Sequence, residues 1–83
     1  MNRRKRLEKL HEIAAFWEAT VAGMVKAYEW TVDQQTGGPW NDETWDHWMN
    51  IRLALKDKLE HVRKERARVQ DRIAEVEQEE ENQ

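Results

Sequence analysis

The stretch Gln34-Gln35-Thr36-Gly37-Gly38-Pro39-Trp40-Asn41-Asp42 decides the fold, because it holds the sole proline and two of the three glycines of a chain that elsewhere reads as helix. Its signals come in stop-then-start order. Gly37 or Gly38 is expected to take the left-handed conformation that closes a helix. Pro39 forbids continuation, since it lacks an N–H and restricts the residue before it. Asn41 then reads as an N-cap, with Asp42 and Glu43 in the first turn, where the helix dipole favours negative charge. With Asn41 as cap, Trp40 and Trp45 fall at the N′ and N4 positions of a hydrophobic staple.

Upstream of this corner, Leu7, Leu10, Ala14, Trp17, Val21, Met24 and Tyr28 recur at alternating spacings of three and four, which predicts a helix over about residues 3–33. A second stripe lies beside the first: Ile13, Phe16, Thr20, Gly23, Ala27 and Trp30. A single seam needs only one stripe, so the doubled face predicts that this helix touches more than one neighbour. Gly23 sits mid-helix and has two readings, a close approach of another backbone or a tolerated glycine costing about 1 kcal/mol.

Downstream, a seam of Trp45, Trp48, Arg52, Leu55, Leu59, Val62, Arg66, Val69, Ile73 and Val76 predicts a helix over about residues 42–79, leaving a turn at 34–41 and a disordered acidic tail at 80–83. Met49, Ile51 and Leu53 widen its apolar face near the turn, where the core is expected to be thickest. Arg52 and Arg66 on the seam either snorkel to the surface or set register. Folding the chain back at the corner sets Tyr28 against Trp48, Met24 against Arg52, Val21 against Leu55 and Trp17 against Leu59, so the two seams mesh. Arg3 to Arg6 then lie beside Gln70 to Ile73, close to the acidic end of the second helix. The expected fold is all-α: one domain, an antiparallel, coiled-coil-like two-helix hairpin.

Such a hairpin of 83 residues is short of core. It is therefore expected to pair as a homodimer into a four-helix bundle through Ile13, Phe16, Thr20, Gly23, Ala27 and Trp30. Hydrophobic residues at 39% and charged residues at 37% fit a long-helix protein, whereas five tryptophans do not. With no cysteine and no serine, disulfides, thiolate sites and a serine nucleophile are excluded. Gly37-Gly38 lacks the rest of a phosphate loop, and His11, His47 and His61 are isolated, with no second histidine at i+3 or i+4 and no cysteine to complete a metal site. No catalytic, cofactor or metal site is expected, and the protein reads as no enzyme. The basic start Arg3-Arg4-Lys5-Arg6 is followed by Glu8, Lys9, His11 and Glu12, which break any signal-peptide apolar region. No apolar run approaches a membrane span, so a cytoplasmic location is expected.

Two surfaces are candidates for binding. Acids crowd the turn end, where Asp33, Asp42, Glu43 and Asp46 lie near Trp30 and Trp40, and tryptophan is over-represented at interaction hot spots. This pattern points to a protein partner. The alternative is a nucleic-acid contact along Lys56, Arg63, Lys64, Arg66 and Arg68, weakened by the interleaved Glu60 and Glu65 and by a net charge of -3. In size, absence of cysteine and charge-dense helices, the whole chain resembles small phage-encoded helical proteins that bind and disable host machinery, such as anti-CRISPR proteins and the twitching-inhibitory proteins that block pilus-assembly ATPases. The resemblance carries no motif and assigns no residue. It implies an inhibitor of a larger host protein.

Overall fold

The computed structural model describes residues 2–81, apart from the side chains of residues 80 and 81. Two helices, α1 (Arg3–Gly37) and α2 (Asp42–Glu81), pack against each other as an antiparallel hairpin. The result is a rod with extents of 64 × 17 × 14 Å.

Both helices start on asparagine caps. The Lys5 N–H donates to Asn2 Oδ1 at 2.9 Å, and the Thr44 N–H donates to Asn41 Oδ1 at 2.8 Å. In each case a side-chain oxygen satisfies a donor that the first turn leaves free. Asp42 and Glu43 occupy the first turn of α2, whereas the first turn of α1 carries no acid.

Helix α1 continues one turn beyond the expected end near residue 33. The reason is packing. The seam extends past Tyr28 to Thr31 and Gln35, each only 3% exposed, so the additional turn is held against α2. Thr31 Oγ1 donates to the Tyr28 carbonyl at 2.7 Å, and Thr36 Oγ1 donates to the Val32 carbonyl at 2.9 Å. The glycines do not close the helix in the expected way, since none of the three has a positive φ. Gly38 is extended, at φ -85° and ψ 169°. It supplies room instead of handedness: a Cβ there would run into the Trp40 indole. That indole donates from Nε1 to the Gln34 carbonyl, one of the acceptors left free where α1 ends.

The longer α1 moves the corner toward α2 and shifts the register by about one turn. Val21 clusters with Leu59 and Val62 instead of Leu55, and Trp17, Met24 and Val25 pack around them. Arg52 meets Tyr28 instead of Met24. At the open end Arg6 reaches Glu79 at 3.3 Å, beyond the expected stretch from Gln70 to Ile73. The opposed charge runs therefore do meet, further along.

The core is also not where the apolar run near the turn suggests. Its buried members are Val21, Leu59 and Val62 in mid-rod and Val76 near the open end. Trp45 is 43% exposed and is not core. Trp40 packs on Trp48, with ring centroids 6.0 Å apart, in place of the expected staple to Trp45. Helix α2 includes residues 80 and 81, assigned above to a disordered tail. Asn82 and Gln83 lie outside the described residues.

Candidate interaction surface

Where the hydrophobic core stops, the seam becomes polar. Arg52 Nε donates to the Tyr28 hydroxyl at 3.1 Å, and Arg52 Nη1 donates to Gln35 Oε1 at 3.1 Å. The same guanidinium stands 5.6 Å from the Tyr28 ring centroid. Gln35 Nε2 is buried with no hydrogen-bond partner among the described residues. Arg52 is thus held between the helices, where its hydrogen bonds fit one register only. Arg66 instead reaches across the seam to Glu18 at 3.6 Å, and Gln70 donates to the same carboxylate at 3.3 Å.

Beyond this polar layer lies a cluster of indoles. Trp48, half-buried on α2, is its hub. Trp30 meets it edge-on at 5.5 Å and 72°, and Trp40 leans on it at 6.0 Å and 47°. Each such pair contributes about 0.5–1.5 kcal/mol beyond area burial. The cluster nevertheless stays open to solvent, with Trp30 56% and Trp40 40% exposed. Trp45, one turn before Trp48, adds a further exposed indole.

The structure thus brings the predicted Trp30 and Trp40 together, through a residue that periodicity assigned to the seam. Asp33, Asp42, Glu43 and Asp46 are all exposed around the same end. Glu43 faces His47 at 3.8 Å. No lysine or arginine occurs between Lys26 and Arg52, so the carboxylates of Glu29, Asp33, Asp42, Glu43 and Asp46 have no cation in their own stretch. Open aromatic faces within an acidic field suit cationic side chains, which bind indole faces and carboxylates together.

The second stripe of α1 is largely outside the hairpin. Phe16 is 60% exposed, Gly23 and Ala27 are exposed, and Ile13 and Thr20 are half-buried. A Cβ placed on Gly23 meets nothing within 4 Å. Of the basic residues on α2, Arg66 is paired with Glu18 and Arg68 with Glu65 at 2.7 Å, while Lys56, Arg63 and Lys64 are exposed. Among the described residues, no three His, Cys, Asp or Glu side chains gather in a way that would hold a metal ion. No described helix is long and apolar enough to cross a membrane.

No protein-family model matches the chain, and no curated protein or solved structure shows significant similarity to it.

Sequence reasoning missed Trp48 as the hub and Gln35 as Arg52's partner. For Gln35 a signal was present, since it continues the seam seven residues after Tyr28. For Trp48 there was none, because a seam tryptophan reads the same whether its ring is covered by aliphatic or by aromatic neighbours.

Proposed function

We propose that this protein is a non-catalytic interaction module, an adaptor or inhibitor that binds a larger protein through its acidic, tryptophan-rich turn end. The observation that carries this reading is the open indole cluster of Trp30, Trp40 and Trp48 inside a cation-free acidic stretch. Tryptophan supplies large contact area at low entropic cost, and burying it against a partner is worth more than most contacts. The surrounding charge selects a basic partner surface. A phage-encoded inhibitor of host machinery, working in the cytoplasm, fits this reading.

The same proposal includes a homodimer, a four-helix bundle formed through Ile13, Phe16, Thr20, Gly23, Ala27 and Trp30. Its support is the exposure of Phe16 and Trp30 on a face that the hairpin leaves uncovered. The nucleic-acid reading is weaker, since two of its five cations already neutralise Glu18 and Glu65.

The test is affinity capture from the native host, with mass spectrometry, comparing the parent with Trp40→Ala and with Asp42→Lys/Asp46→Lys. A partner retained by the parent and lost by both variants, with helicity intact, is the expected result. Capture that is indifferent to both variants refutes the turn end as the binding site. Binding to a duplex oligonucleotide in low salt, abolished by Arg63→Glu/Arg68→Glu, would favour the nucleic-acid reading instead.

A further inference from the structure

The uncovered face of α1 has an internal symmetry. Gly23 lies at its centre, Phe16 seven residues before it and Trp30 seven residues after, so the two exposed rings stand two helical turns to either side of the one position without a side chain. Thr20 and Ala27 fill the space between. Nothing within the hairpin approaches the open side of Gly23. A glycine in a helix interior sacrifices helical stability, and here no contact among the described residues explains it.

Charge along the same face is lopsided. Toward the start of α1 it continues through Lys9, which pairs with Glu12 at 3.8 Å, into the basic segment Arg3 to Lys9; Arg6 itself turns to Glu79 of α2. Toward the other end it runs into the acidic turn, with Asp33 at its edge. The first turn of α1 has no acid and the last turn no base, so each end lacks the side-chain charge that favours its helix terminus.

We infer that two copies of the chain pack α1 against α1 in antiparallel orientation, with the two-fold axis at Gly23; this rests on the homodimer proposed above. A self-complementary interface requires that residues equally spaced about the axis meet. Phe16 then packs on Trp30 of the partner subunit, and the reciprocal contact forms at the other end. The backbones approach closest where both glycines lie. The acidic turn end of each copy comes alongside the partner's basic N-terminal segment, within a turn of the partner's Lys9. A parallel pairing would set both basic segments together and both acidic turns together, which like-charge repulsion opposes. Trp30 is then covered by the partner subunit, and the larger partner is left Trp40 with Asp42, Glu43 and Asp46 of α2.

The chain has no cysteine, which allows a direct test. Thr20→Cys and Ala27→Cys are made separately, mixed and oxidised. In the antiparallel dimer the mixed disulfide forms and predominates. Each variant alone fails to crosslink, because its own copies lie about 9–12 Å apart along the axis, beyond the roughly 7 Å reach of a disulfide. A dimer in which either variant crosslinks to itself, or in which the mixture gives no heterodisulfide, overturns the orientation while leaving the homodimer standing. A monomer by light scattering at micromolar concentration overturns both. Gly23→Leu leaves the hairpin unobstructed but enters the interface twice, so it is expected to raise the dimer dissociation constant about 30-fold or more through overpacking. An unchanged constant places Gly23 outside the interface and refutes the axis.

Discussion

Replacing Arg52 by leucine tests whether the polar layer of the seam holds the register. The substitution removes the hydrogen bonds to the Tyr28 hydroxyl and Gln35 Oε1 and the stacking on the Tyr28 ring. The two bonds are worth about 3 kcal/mol together, the low end for a charged donor because Arg52 is only half-buried, and the ring contact about 0.5 kcal/mol. Leucine burial returns about 1–1.5 kcal/mol. Gln35, only 3% exposed and with Nε2 already unpartnered, then loses its remaining bond, so both ends of a buried amide stand unsatisfied. The net loss is about 2 kcal/mol. With a urea m-value of about 1 kcal/mol/M for a chain of this size, the midpoint falls by about 2 M. Adding Gln35→Leu removes the stranded amide, and the double variant is expected to return to within about 0.5 kcal/mol of the parent or to exceed it, as paired polar-to-apolar replacements do. The assay is urea unfolding followed by circular dichroism at one fixed protein concentration, because association contributes to apparent stability. A single variant as stable as the parent, at unchanged m, would refute the reasoning and leave Arg52 as a snorkelling side chain.

Three further outcomes follow from local geometry. Gly38→Ala drives the Trp40 indole from its place between Gln34 and Trp48; tryptophan emission is expected to shift to longer wavelength with a loss of about 1 kcal/mol, and an unchanged spectrum contradicts the packing. Asn41→Ala removes the cap on Thr44 and is expected to cost about 1 kcal/mol in thermal or urea unfolding, whereas Asn41→Gly costs only a few tenths. Arg6→Gln breaks the pair with Glu79, whose side chains are 35% and 44% exposed; a change below about 0.5 kcal/mol is expected, so a larger loss that persists in high salt would show that the open end is fastened more firmly than an exposed ion pair allows.

The hairpin was legible because its determinants are local and periodic. Heptad spacing fixes which face is covered, and Asn41 with Asp42 and Glu43 marks a helix start by chemistry alone. The register was not legible to better than a turn. It depended on Thr31 and Gln35, two polar residues at seam positions, and hydropathy gives no reason to bury either until Tyr28 and Arg52 are seen beside them. The turn glycines misled for a related reason. Gly38 is required by the volume of a tryptophan two residues away, and that constraint is invisible to rules about φ. At the candidate surface, the clustering of acids and tryptophans was readable from composition along the chain. Which rings touch was not, since Trp45 and Trp48 share the same seam pattern and end in different surroundings, one open and one at the centre of the cluster.

The bond from the Trp40 indole to the Gln34 carbonyl turns the corner into a hinge pin. It ties the end of α1 to the strut on which α2 begins, while the ion pair at the far end spans 73 residues of chain. Loop closure is therefore cheapest at the corner and dearest at the tips. The two helices are expected to close as a zipper from the pinned end, with Trp48 buried early in folding and Val76 late, an order that substitutions at these two sites would reveal as folding-rate and unfolding-rate effects respectively.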